Sequence, residues 1–200
     1  CGKTTLLRLL LGQLRANEGA VLIDGQPIDT LDLAAWRERV AWMSQHPRLM
    51  ADTLAANLRI ARHDVDDAEL REALDFAGLG QWFADLPDGL ATRLGEGGRQ
   101  LSGGQLRRLA LARVRLRRSD VLLLDEPTAS LDADTERAVV ERLTELRRGR
   151  TLVLLTHRRL PLNIADRVLT LNHGQLNDTT LTQPALAGGV TPALSGKIAV

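Results

Sequence analysis

Two short runs in this chain are apolar without a break: residues 121–124 (VLLL) and 152–155 (LVLL). A strand with one solvated face alternates apolar and polar residues, whereas one covered on both faces does not. These runs therefore predict buried strands in an α/β fold with a parallel sheet. Between and around them, apolar residues recur at helical spacing. The pattern predicts helices over 3–15, 31–39, 53–61, 66–77, 81–84, 102–117 and 133–148, the last with Val139, Leu143 and Leu146 on one face. The helix at 66–77 opens on acidic residues, which suit the positive end of a helix dipole. Shorter strands are expected over 19–25, ending in a turn, over 40–44 and over 167–171, with a turn at 172–174. Pro87, Asp88 and Gly89 form a turn sequence, since proline presets one dihedral and glycine supplies another. Gly95, Gly97 and Gly98 mark an irregular loop. From 177 to 200 the chain is rich in Thr, Pro, Gly and Ala without a period, and a loosely ordered tail is expected there.

Composition narrows the class. Of the 200 residues 44% are hydrophobic, enough apolar area to offset chain entropy, so wholesale disorder is excluded. No run approaches the roughly 18 apolar residues of a membrane-spanning helix. The chain has one cysteine, which excludes an internal disulfide framework and fits a reducing compartment. A net charge of +1 gives no bulk attraction to nucleic acid or anionic lipid. The basic residues are nearly all Arg, with Lys only at positions 3 and 197, a bias attributed to base composition.

Three constellations carry chemistry. Gly2, Lys3, Thr4 and Thr5 stand directly before an apolar helix, as in the second half of a phosphate-binding loop. Backbone N–H groups at a helix N-terminus bind anions, Lys3 adds a point charge, and the Thr4 hydroxyl suits Mg²⁺. The first glycine of that loop and the strand expected before it do not occur in the 200 residues, so the chain is expected to be a fragment lacking its N-terminal strands. Next, the run 121–124 ends in Asp125, Glu126 and Pro127. Ligands of open α/β sheets sit beyond the carboxyl ends of strands, so Asp125 is placed to help hold Mg²⁺ and Glu126 to polarise a water. Finally, Leu101, Ser102, Gly103, Gly104 and Gln105 open a helix. Ser102 and Gln105 fit a capping box. Two glycines in a first turn weaken a helix by about 1 kcal/mol each relative to Ala, which favours close approach of a ligand to the backbone. His157 follows a buried strand, on the same rim as Asp125.

In order and spacing, GKTT, LSGGQ and VLLLDEP resemble the nucleotide-binding domain of ATP-binding cassette (ABC) proteins over residues 1 to about 176. The resemblance implies a P-loop ABC ATPase fold, a mostly parallel sheet plus a helical subdomain over about 50–117, and ATP with Mg²⁺ as cofactors. It implies Gly2, Lys3, Thr4 and Thr5 as nucleotide ligands. Leu101, Ser102, Gly103, Gly104 and Gln105 would be the signature motif facing a second cassette. Thr4, Gln45 and Asp125 would serve Mg²⁺, Glu126 would be the catalytic base, His157 the γ-phosphate switch, and Asp132 part of the loop after the base. Residues 92–98 (TRLGEGG) are similar to a loop of exporter-type cassettes, as is the segment 54–60. Implied partners are a transmembrane domain upstream in the same polypeptide and a second cassette, as homo- or heterodimer, at the cytoplasmic face of the bacterial inner membrane. Residues 86–96 and 150–158 look most like the heterodimeric thiol exporters that move cysteine and glutathione during cytochrome bd assembly. The alternative is a soluble ABC ATPase of translation or DNA repair, raised by Arg107, Arg108, Arg113, Arg115, Arg117 and Arg118; scarce aromatic residues weigh against nucleic acid as partner.

Overall fold

The structure, a computed structural model, describes residues 2–180 and the backbone of 197–199. The chain divides into two compact units, one of Cys1–Ala41, Ser119–Glu126 and Arg150–Val200, the other of Trp42–Arg118 and Pro127–Gly149.

In the first unit, helix α1 runs over Lys3–Leu10. It is shorter than the 3–15 expected from its leucines, because Gly12 turns the chain at φ +62 and a Cβ there would lie 2.7 Å from Leu33 Cδ2. The carbonyls this stop leaves unpaired are taken up by a second helix, α2 (Leu33–Glu38). Trp36 Nε1 donates to the Leu10 carbonyl at 2.9 Å, and Arg37 donates to those of Leu11 and Gly12. Asp32 caps α2 by accepting from the amides of Ala34 and Ala35. Strands β1 (Leu22–Ile23) and β2 (Gln26–Pro27) form a hairpin. Its turn residues Asp24 and Gly25 both have positive φ, as a two-residue hairpin turn requires.

The six-stranded sheet contains β3 (Val40–Met43), β4 (Val121–Asp125), β5 (Thr151–Thr156), β6 (Val168–Asn172), β7 (Gln175–Asp178) and β8 (Lys197–Ala199), in the order β3-β4-β5-β8-β6-β7. The two unbroken apolar runs pair in parallel, Leu122 beside Leu152 and Leu124 beside Leu154. The pairings β5–β8, β6–β8 and β6–β7 are antiparallel, so the sheet is mixed. Leu7, Leu11, Ile28, Trp36, Leu123, Val153, Leu155 and Leu171 form one buried cluster. It joins α1 to the sheet.

Strand β7 lies where the sequence suggests the start of a loose tail. All four of its residues are exposed, so burial supplies no periodic signal. What orders it is the ladder to β6 and the Asp178 carboxylate, which accepts from Thr180 Oγ1 at 2.6 Å, from the Thr180 amide, and from Arg167. The tail expected over 177–200 otherwise lies mostly outside the described residues.

In the second unit the helices are α3 (Leu54–Arg59), α4 (Asp67–Phe76), α5 (Gly80–Ala84), α6 (Gly103–Leu116) and α7 (Ala133–Leu146). Side-chain caps set the starts of all but α5. Thr53, Asp66, Ser102 and Asp132 each accept a backbone N–H of the first turn. Leu54, Leu58, Leu70, Leu74, Leu79, Leu94, Leu109 and Leu111 are at most 2% exposed and fill the interior. A polar residue, Asn57, sits among them. Asn57 is fully buried, and its side chain pairs with both the amide and the carbonyl of Met50. Arg113 completes this knot, donating to the Asn57 carbonyl at 2.8 Å, to Asn57 Oδ1 and to the Arg48 carbonyl.

Two expectations follow. Replacing Arg113 by Ala orphans the Arg48 and Asn57 acceptors and should cost about 2–4 kcal/mol in urea unfolding. The Asp178 carboxyl is held down from 3.8 to about 2, chiefly by the Thr180 hydroxyl, then the Thr180 amide and Arg167. A carboxyl with a depressed folded-state pKa stabilises above its unfolded value and loses that contribution as the proton binds. The β6–β7 hairpin should therefore lose Asp178 support between pH 3.8 and about 2, with an NMR midpoint near the lower value.

Candidate functional site

At the carboxyl end of β4 the chain places Asp125 and Glu126, 4% and 3% exposed. Glu126 extends the strand pairing by one residue, its amide donating to the Leu155 carbonyl at 2.8 Å. It then turns with φ +53. A non-glycine residue in this region costs of order 1–3 kcal/mol and persists only when its surroundings hold it. Here two side chains hold it. Lys3 Nζ donates to Glu126 Oε1 at 2.7 Å, and His157 Nδ1 lies 2.8 Å from the same oxygen. The second oxygen, Oε2, is buried without a hydrogen-bond partner among the described residues.

Each member of this group is positioned by its own element. Gly2 caps α1 in the left-handed conformation at φ +91, accessible to glycine at little cost, and its carbonyl accepts the Leu6 amide. That starts the helix at Lys3, with Thr4 and Thr5 exposed in the first turn and no acidic residue there to compete for an anion. His157 follows the last residue of β5, fully buried Thr156, whose Oγ1 accepts the Arg158 amide at 2.9 Å and closes a tight turn around the histidine. The imidazole itself is 57% exposed, so it meets Glu126 on one side and solvent on the other.

The residues suit a nucleotide with Mg²⁺. Thr4 and Asp125 offer a hydroxyl and a carboxylate, the hard oxygen donors that Mg²⁺ takes, and the orphaned Glu126 Oε2 is a further acceptor close at hand. No group of three or more His, Cys, Asp or Glu side chains arranged to hold a metal ion by themselves exists among the described residues. Mg²⁺ does not require one, because it keeps waters and binds through one or two carboxylates plus phosphate oxygens.

Gln45, Leu101, Ser102, Gly103, Gly104, Gln105 and Asp132 belong to the second unit. The capping box expected at Ser102 is present: its side chain accepts the Gln105 amide at 3.1 Å, and Gln105 Oε1 accepts the Ser102 amide at 2.9 Å. Ser102 and Gly103 are exposed, Leu101 and Gly104 half-buried. A Cβ on Gly103 would meet nothing within 4 Å, and one on Gly104 only Leu131 at 3.7 Å. Packing within the chain thus does not demand either glycine. The Asp132 carboxylate is spent on capping α7, accepting the Thr135 amide at 2.9 Å and its hydroxyl at 2.7 Å. These bonds, the amide first, hold its pKa below the ordinary carboxylate value. Gln45 is exposed and its carbonyl accepts from Arg107 Nη2. The loop 92–98 is pinned to residues 50–54 by Leu54 N to Thr92 O and Leu94 N to Asp52 O. A Cβ on Gly98 would fall 2.5 Å from the Arg93 carbonyl oxygen, so glycine there is a packing requirement.

Sequence reading passed over two residues. Thr156 reads as one more strand residue, yet it shapes the turn that carries His157. Arg107 reads as one of a run of arginines, and only its contacts set it apart.

Comparison with known proteins bears on the family and the fold. Residues 1–129 match the family model described as ABC transporter. A "Multidrug resistance ABC transporter ATP-binding and permease protein" of Lactococcus lactis is 37% identical over 201 residues, covering 97% of this chain and 34% of that protein. A mycobactin import ATP-binding/permease protein of Mycobacterium bovis is 39% identical over 190 residues, 94% of this chain and 33% of that one. The solved structure of a bacterial Atm1-family ABC exporter with ATP bound superposes with a TM-score of 0.83 at 33% identity, over 88% of this chain and 31% of that chain. The chain thus spans about a third of the length of these relatives. The family match and the likeness of fold give one conclusion: the chain belongs to the ABC transporter family and has the fold of its P-loop ATPase domain.

Proposed function

We propose that the chain is the ATP-hydrolysing module of an ABC exporter. The observation that carries the reading is the convergence of Lys3 and His157 on the buried Glu126 carboxylate. Phosphoryl transfer to water needs positioning and charge neutralisation more than covalent chemistry. Lys3 and the first-turn amides of α1 would receive the phosphates, with Thr5 beside them. Thr4 and Asp125 would hold Mg²⁺, which neutralises phosphate charge when bound. Phosphate oxygens compete with Glu126 for Lys3, and drawing the lysine away leaves the carboxylate free to accept a proton from water. His157, already against Glu126, would keep that carboxylate oriented, and its exposed face is free to meet the γ-phosphate. Gln45 would monitor Mg²⁺ and the water.

Ser102 and the amides of Gly103 and Gly104, with Leu101 and Gln105 flanking them, would meet the nucleotide of a second cassette. The open space around Gly103 supports that role, since nothing in its own chain fills it. Asp132 would shape the neighbouring loop. The whole protein would include a transmembrane domain and act at the cytoplasmic face of a bacterial inner membrane. The resemblance of the loop 92–98 to exporter-type cassettes supports export, and one similar protein is named for import. Cysteine or glutathione is the narrower substrate reading, supported by the resemblance of residues 86–96 and 150–158 alone.

The arginine run favours no nucleic-acid role. Arg107, Arg108, Arg113 and Arg117 donate to carbonyls of their own unit, Arg118 pairs with Glu69, and Arg115 lies over the Phe76 ring at 5.8 Å.

In the full-length protein, Glu126→Gln should lower ATP turnover at least about a hundredfold, the scale of a lost general base, while ATP-bound dimers persist in size-exclusion chromatography. Near-normal hydrolysis would refute the base assignment. In vesicles carrying the full-length protein, ATP-dependent uptake of radiolabelled glutathione or cysteine is expected; transport of neither, with hydrolysis intact, removes the thiol reading and leaves the ATPase reading standing.

A further inference from the structure

Arg107 stands on the second turn of α6, one turn beyond the Ser102 cap. The helix packs through Leu109, Ala110, Leu111, Ala112, Val114 and Leu116. Arg107 is not part of that buried face. Its guanidinium instead reaches two other segments. Nη2 donates to the Gln45 carbonyl at 3.1 Å, and Nη1 donates to the Ala129 carbonyl. Both acceptors are main-chain atoms of loops that carry candidate site residues. One is Gln45 itself. The other lies in the turn that passes through Ser130, at φ +63, to the Asp132 cap of α7. Its neighbours on α6 behave differently. Arg108 donates to the Gly78 carbonyl at 2.9 Å and Arg117, at the C-cap, to that of Ala61 at 3.2 Å, both in connections between helices that carry no candidate residue.

A guanidinium is a rigid fork whose donors have fixed spacing, so one arginine can hold two carbonyls in a set relation, which an ammonium on a flexible stem cannot. We propose that Arg107 is a positioning residue for nucleotide hydrolysis: it ties the main chain at Gln45 and at Ala129 to the helix that begins at Ser102. A shift of that helix on engaging nucleotide then moves both loops together. The amides at the start of α6, the Gln45 side chain and the Asp132 loop become one mechanical unit. This inference rests on the ATPase reading above for its consequence, though not for its geometry.

The test uses the full-length protein and the variants Arg107→Ala, Arg107→Lys and Arg108→Ala. Hydrogen–deuterium exchange without nucleotide should show faster exchange at residues 44–46 and 129–132 in Arg107→Ala, and no change there in Arg108→Ala. In Mg²⁺-dependent hydrolysis, kcat should fall about tenfold in Arg107→Ala, the range seen when groups that orient metal-site residues are removed. KM for ATP should stay within about twofold, because the lost contacts orient rather than bind. Arg107→Lys should recover less than half of the lost kcat, and Arg108→Ala should keep both constants. Unchanged exchange in both segments of Arg107→Ala would overturn the proposal, as would equal kinetic losses in Arg107→Ala and Arg108→Ala. Faster exchange in Arg107→Ala together with a wild-type protein that hydrolyses no ATP would uphold the clamp and defeat the ATPase reading instead.

Discussion

One carboxylate oxygen organises the candidate site. Glu126 Oε1 is shared by Lys3 and His157, from opposite ends of the sequence, while the residue turns at positive φ behind a buried strand. A carboxylate this enclosed, taken from water without partners, would cost several kcal/mol. The lysine offsets that cost, and the strained turn aims the side chain at it. The same contact explains how binding and chemistry can be linked. On the proposed reading, phosphates would draw Lys3 away from the carboxylate, so that arrival of nucleotide would free Glu126 to act as base.

The second unit solves a different problem, holding loops of irregular backbone with few apolar residues of their own. Its answer is arginine. Arg107, Arg108, Arg113 and Arg117 each donate to main-chain carbonyls that helices and strands leave unpaired, and buried Asn57 serves both donors and acceptors of the loop around Met50. A guanidinium suits this work because it presents five donors on a long apolar stem. The bias toward arginine that composition shows, whatever its origin, is put to structural use here.

Much of the local structure was legible because the signals are short-range. The parallel pair β4–β5 follows from two unbroken apolar runs, the start of α6 from Ser102 and Gln105, and the start of α4 from Asp66 and Glu69. Where reading failed, the deciding contact was distant or the signal absent. The end of α1 depends on Gly12 beside Leu33 and on carbonyls captured by Trp36 and Arg37. Strand β7 has no buried face to print a period, and the antiparallel side of the sheet depends on pairing choices that periodicity does not encode.

The sequence by itself determined the family, through three spaced motifs, and with it which residues could carry chemistry: Lys3, Asp125, Glu126 and His157 among them. Those are matters of residue type and order along the chain. Only the tertiary structure decided that Lys3 and His157 meet on a single oxygen, that Thr156 shapes the histidine's turn, and that Arg107 differs from the arginine beside it. The reason is physical. A side chain's role is set by the atoms within hydrogen-bond reach of it, and for Lys3, His157 and Arg107 those atoms lie on segments tens of residues away.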